Sequence, residues 1–271
     1  MTLPTPKGWL FCIALMALPL SGWGEIYKWV DAQGRVHFSD KRYADERAKR
    51  IDEEPQLAQQ GGNQFTFHPE ADALLQQNQR QPLGQSTALS AGNWSQSGTR
   101  YQSVSVMRFE IAPLLEEMHR NPQKKLLRAT LRLYANADDK LYGQSVNNQE
   151  PAGHSSKGGD NAFYLKPVHN NFEEAQVTWS SFFDQSNYTP SAIRNLPGVA
   201  VPGSDDDPQK DYEIDVLPLV QKLMEANLRQ VTLEMRLQRT SGRAQVTFFS
   251  REAEVSRRPS LHVELFNADP G

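Results

Sequence analysis

Three arginines occupy matching places in three runs that alternate apolar and polar residues. They are Arg108 in Met107-Arg108-Phe109-Glu110-Ile111, Arg132 in Leu131-Arg132-Leu133-Tyr134, and Arg236 in Met235-Arg236-Leu237. A guanidinium offers a planar fork of N–H donors that grips a carboxylate through two parallel hydrogen bonds. Side chains alternate across a strand, so the arginines face outward if Phe109, Leu131, Leu133, Leu233, Met235, Val263 and Leu265 face a core. The same alternation turns Glu110, Thr130, Tyr134, Glu234, His262 and Glu264 outward. Arg108, Arg132 and Arg236 then form a basic stripe for an anionic ligand, or they pair with the interleaved Glu110, Glu234 and Glu264 as ordinary surface ion pairs. Trp94, in a Gly/Ser/Asn-rich stretch that reads as a loop, and Tyr134 add aromatic faces for stacking, whereas Trp179, two residues beyond Val177, reads as core or rim.

Oxygen-rich clusters are the second kind of chemistry. Asp205-Asp206-Asp207 could ligate a structural calcium ion, as could Asp138-Asp139, but neither has the spacing of a known calcium loop, and both also read as solvated acidic turns. No other cofactor is called for. Arg251 and Glu252 read as a local ion pair near the last strands. Catalytic patterns are missing: the six histidines show no His-Glu-x-x-His spacing, Ser250 lacks the glycines of a nucleophile elbow, and Glu173 and Glu174, adjacent on a strand, would face opposite ways. A single cysteine, Cys12, excludes a disulfide framework and a thiolate zinc site. With 29 Lys+Arg against 32 Asp+Glu, the net charge of -3 gives no electrostatic ground for nucleic-acid binding.

These residues need elements to hold them. A chain of 271 residues makes one large or two modest domains, and a mean hydropathy of -0.64 leaves room for a polar linker. Residues 1–24 run from Lys7 through an apolar stretch to small residues, the order of a secretory signal peptide, with cleavage expected between Gly24 and Glu25. No later window is apolar enough to span a membrane. Residues 25–43 hold two short aromatic and β-branched runs around Asp31-Ala32-Gln33-Gly34, a hairpin signal. A lone hairpin is marginal in water and must dock either on the larger domain or on another protein. Charged, Gln- and Gly-rich residues 44–64 read as a linker, and residues 65–267 as an all-β antiparallel sandwich, jelly-roll-like, with one or two short helices. One helix is expected at 216–224, with apolar residues at 216, 219, 220 and 223 and Asp215 as its N-cap.

Tyr27-Lys28-Trp29, Asp31, Gly34 and Phe38-Ser39-Asp40 resemble the pattern of domain of unknown function 4124. Its members follow signal peptides in envelope proteins of Gram-negative bacteria, which implies a periplasmic or cell-surface location; the hairpin's need to dock then makes an envelope protein one expected partner for 25–43.

Seven blocks taken in order resemble the DNRLRE-type domain, carbohydrate-binding module family 96, over about 65–266. They are Phe67–Ala73, Leu83–Gly92, Met107–Ile111, Ala129–Tyr134, Glu174–Trp179, Ile214–Val216, and Phe248–Ala253 with Arg258–Leu261. The chain departs from that pattern in an insert at 135–177 and in Glu110, where the family commonly has Asp. The resemblance implies a β-sandwich that binds polysaccharide, with acidic glycans such as alginate as one ligand class. Arg108, Arg132 and Arg236 would then meet sugar carboxylates, and Trp94 and Tyr134 sugar rings. The rival expectations are an envelope adaptor that binds another protein and a polysaccharide lyase.

Overall fold

The computed structural model describes strands at 27–30, 36–39 and 49–50, and residues 63–268 except 97–98, 138–152, 157, 169–170, 185–195, 197 and 241. Gly24, Glu25, Cys12 and the pair Asp138-Asp139 lie outside the described residues. The chain divides into two compact units, Met1–Glu54 and Pro55–Gly271.

In the first unit, β1 (Tyr27–Val30) and β2 (Val36–Ser39) pair antiparallel from Tyr27↔Ser39 to Val30↔Val36, the expected hairpin. A short β3 (Lys49–Arg50) joins the free edge of β1 through Tyr27↔Arg50. This third strand comes from the charged stretch that reads as linker.

The second unit is an antiparallel β-sandwich. Its seven-stranded sheet contains β5 (Ala71–Gln76), β6 (Ala88–Gln96), β7 (Thr99–Glu110), β9 (Phe163–Val168), β10 (Val199–Val201), β12 (Gln230–Leu237) and β13 (Ala244–Phe249). The order is β10-β9-β12-β7-β6-β13, with β5 also on β7. Its four-stranded sheet has the order β11-β8-β14-β4, from β4 (Gln64–Phe67), β8 (Lys124–Leu133), β11 (Tyr212–Asp215) and β14 (Ser260–Asn267). Between them Phe109, Leu131, Phe163, Met235, Phe248 and Val263 are wholly buried, so the inward half of the predicted alternation is observed.

Strand β7 organises the larger sheet. Ser103 pairs with Gln76 of β5 and with Gly92 of β6, whereas Arg108 pairs with Ala71 of β5 and with Thr232 of β12. A strand has two edges, so β6 and β12 follow one another along one edge while β5 takes the other. Where β6 gives way, Ser105 Oγ accepts the Ser90 N–H at 2.7 Å and donates to the Ser90 carbonyl at 2.9 Å, which satisfies backbone groups the ladder would otherwise pair.

Three helices are present among the described residues: α1 (Ala112–Arg120), α2 (Trp179–Asp184) and α3 (Leu217–Glu225). Only α3 is anticipated by periodicity. It starts one residue later than predicted, so Val216 rather than Asp215 is the N-cap, and Asp215 Oδ1 accepts the Leu217 N–H at 2.9 Å. At α1, Glu110 Oε1 likewise accepts the Ala112 N–H at 2.9 Å, Ile111 is the N-cap, and Pro113 matches Pro218. A carboxylate one residue ahead of an apolar N-cap thus opens both helices, each of which carries the chain from one sheet to the other.

The outer face of the seven-stranded sheet is partly covered. Ala71, Ala73, Leu75 and Val106 pack beneath Phe172, Val177 and Phe182, with Trp179 and Phe183 at the rim. Strand β5 is therefore buried on both faces.

Candidate ligand-binding face

The three arginines do not share a surface. Arg132 is on β8 of the four-stranded sheet, and Arg108 and Arg236 are on β7 and β12 of the other. Arg108 is absorbed into the second core: its Nε meets Glu70 at 2.6 Å, its Nη1 donates to Asn171 Oδ1 and the Phe172 carbonyl, and its guanidinium lies over the Phe172 ring. Arg132 pairs with Glu213 across the β8–β11 ladder at 2.9 Å. Arg236 pairs with Glu234 at 2.7 Å, two residues back on its own strand and not across to a neighbouring one.

Trp94 is on strand β6, not in a loop, because its stretch pairs with β7 through Trp94↔Tyr101. Its indole N–H donates to Gln245 Oε1 at 3.1 Å. Tyr134 is half-buried just beyond β8, and its carbonyl accepts the Phe249 N–H. Trp179 opens α2 at the rim, its ring 4.7 Å from Phe183. In the acidic run, Asp205 pairs with Lys210, Asp206 accepts from Ser156, and Asp207 accepts the Gln209 N–H. Asp205 and Asp206 both hold positive φ, and the three carboxylates make a turn rather than converge on a point.

The geometry gathers a different set around Arg236. Directly opposite residues of antiparallel strands share a face. Ladder pairs Ala200↔Tyr164 and Arg236↔Tyr164 set a row of Ala200, Tyr164 and Arg236 across β10, β9 and β12, and Lys166↔Glu234 forms the next row. Tyr164 is 43% exposed, Lys166 is exposed, and the Arg236 side chain is 41% exposed. Phe183 supports the Arg236 guanidinium from 5.1 Å, and Glu234, 9% exposed, anchors it from beneath. The result is an open aromatic ring flanked by two cations over one buried carboxylate, a local excess of positive charge on a chain whose net charge is negative. Such a face can stack one side of a ring and hold an anionic group beside it.

A cleft of about 420 Å³ lies at the edge of the sandwich, where β10 and β11 border their sheets. Lys210, Asp211, Glu213 and Asp215 line it with Tyr212. Three carboxylates against one lysine disfavour an anionic ligand there. Burial pushes the Tyr212 hydroxyl far above the ordinary phenol range, with Asp205 and Asp207 adding to the shift.

Tyr164 and Lys166 have no place in the reading of the sequence because they fall in the insert. The signal was present in Phe163-Tyr164-Leu165-Lys166, whose observed burial alternates strictly. Pro167 obscured it, and β10 reaches only Leu165, leaving Pro167 beyond the end of that ladder. Arg251 also differs from expectation: it pairs with Glu174 at 2.9 Å rather than with neighbouring Glu252.

The family described as Domain of unknown function (DUF4124) matches residues 13–62, which include all of β1, β2 and β3. A search of curated proteins finds no match to the chain. No helix among the described residues is long and apolar enough to cross a membrane.

Proposed function

We propose that this chain is an exported, non-catalytic polysaccharide-binding protein of a bacterial envelope, and that an acidic glycan lies across Tyr164, Lys166 and Arg236. The observation that carries the reading is the exposed Tyr164 ring in register with Arg236 and beside Lys166. A uronate residue has an apolar ring face for Tyr164 and a carboxylate for the flanking cations. The resemblance of 65–266 to the DNRLRE-type domain favours the same ligand class, and the DUF4124 match at 13–62 favours a periplasmic or surface location.

Calorimetric titration with alginate oligomers and with neutral oligomers of equal length tests it. Wild type binds the acidic series more tightly, and Tyr164→Ala and Lys166→Ala each weaken that binding by about tenfold without changing thermal stability. Equal affinity for neutral oligomers would remove the role of the cations. Unchanged affinity in Tyr164→Ala, or no binding to either series, would sink the proposal. A stoichiometric envelope protein retained after glycan depletion would favour an adaptor, and release of unsaturated product would favour a lyase.

A further inference from the structure

Asp72 lies in β5 and has 0% exposure. Its Oδ2 accepts the Arg251 amide N–H at 2.8 Å, but its Oδ1 is buried with no hydrogen-bond partner. Glu174 and Glu252 approach the same spot, so that one carboxylate oxygen from each of the three residues lies within 4.8 Å of the other two. Burial, reinforced by the charges of Glu252 and Glu174, pushes the Asp72 carboxyl well above the usual carboxylate range, against the pull of the Arg251 amide.

A proton on Asp72 would relieve part of this charge and still leave Glu174 and Glu252 against a single guanidinium. A protonated Asp72 needs an acceptor for its O–H, and a proton shared with a second carboxylate needs oxygens about 2.5–2.7 Å apart. Oδ1 receives no hydrogen bond from any protein donor. Nor does Arg251 satisfy the set: its Nη1 reaches Glu174 Oε2 at 2.9 Å and Oε1 at 3.2 Å, and no contact from it reaches Asp72 Oδ1. Three carboxylates against one guanidinium leave two formal negative charges around a buried oxygen. An all-oxygen ligand set with that excess suits a hard divalent cation, with water completing its shell.

The surroundings hold the carboxylates in place. Glu174 Oε1 accepts the Asp72 amide N–H at 2.8 Å, and Ser250 Oγ donates to Glu252 Oε2 at 2.8 Å. Gly84 lies against the Glu174 backbone so closely that a Cβ there would stand 1.9 Å from its carbonyl oxygen. We propose that Asp72, Glu174 and Glu252 form a calcium site that ties together β5, the segment leading into α2 and the turn after β13. It is distinct from the aspartate run at 205–207 and from the face around Tyr164.

The test uses the full mature chain, stripped with EDTA and titrated with calcium alone, in the absence of any glycan. Calorimetry is expected to show one site with a dissociation constant on the order of 0.1–1 mM, and 10 mM calcium to raise Tm by about 5 °C. Asp72→Asn keeps the size of the side chain and loses both the binding heat and the rise in Tm. Glu252→Gln, nearer the surface, serves as a second variant in which folding is undisturbed and calcium binds at least about tenfold more weakly. Absence of binding heat in wild type, or calcium binding unchanged in either variant, overturns the site.

Discussion

His154 offers a sharp test of how the insert is held to the sandwich. Its Nδ1 accepts the buried Thr247 N–H at 2.9 Å and its Nε2 donates to the Lys210 carbonyl at 2.9 Å, so its two partners fix the neutral tautomer with the proton on Nε2. Its ring meets Phe248 at 4.9 Å and Tyr212 at 5.7 Å. His154→Phe keeps an aromatic ring there and removes both hydrogen bonds. A stranded buried N–H costs about 1–3 kcal/mol, and the lost bond to the part-buried Lys210 carbonyl about 1 kcal/mol more. The expected loss is about 3 kcal/mol at pH 8, or a fall in Tm on the order of 10 °C for a domain of this size. Urea melts read it as a lower midpoint at unchanged slope. The pH dependence follows from the imidazole pKa, which burial lowers below its ordinary value, against the hydrogen bond to the Lys210 carbonyl and the charges of Asp207 and Asp211. The stability this neutral imidazole contributes is full above the unfolded pKa and lost as pH falls through the lowered native pKa, because the unfolded chain takes up the proton first. Wild type therefore loses stability on acidification that the Phe variant lacks, and the gap between them narrows. A variant within 0.5 kcal/mol of wild type at pH 8, or a gap that widens toward acid, would refute the reasoning.

Other outcomes follow from the packing and the buried charge. Phe248→Ala, at a ring with 0% exposure, should cost about 3–5 kcal/mol by urea denaturation. Gly84→Ala should cost about 1–3 kcal/mol, since the added Cβ meets backbone rather than a flexible side chain, and should also weaken calcium binding in calorimetry. In EDTA, the raised Asp72 pKa means that wild type is favoured below the unfolded Asp range and loses stability as pH rises through the native value. Asp72→Asn should thus gain on wild type between acidic and neutral pH in paired thermal melts. Asp215→Ala and Glu110→Ala should each cost about 1 kcal/mol through the helix amide they leave unpaired, read as a shift in urea midpoint.

Strands β7, β8, β12, β13 and β14 were legible because one face of each lies on the main core and the sequence alternates accordingly. Strand β5 was not, since Ala71-Asp72-Ala73-Leu74-Leu75 is buried on both faces and shows no alternation. Helix α1 was hidden by Pro113 and by polar Glu116, Glu117 and His119, although its Leu114 and Leu115 are buried. Of the candidate site residues, Arg236 stands beside Tyr164 on an open face, whereas Arg108 and Arg132 lie elsewhere. Alternation shows that a side chain leaves the core, but it does not reveal which of two sheets carries the strand or whether a second layer covers it.

Side-chain alternation is a local property of each strand, so the order of residues alone carries the antiparallel sandwich, its inward residues and the hairpin ahead of them. Strand order belongs to tertiary structure. Only the pairing of β9 with β12 sets Tyr164 beside Arg236, and only the hydrogen bonds from the Asp72 amide to Glu174 and from the Arg251 amide to Asp72 gather Asp72, Glu174 and Glu252 from distant segments. Both arrangements depend on contacts between residues far apart in the chain, and such contacts leave no mark on the spacing of neighbours.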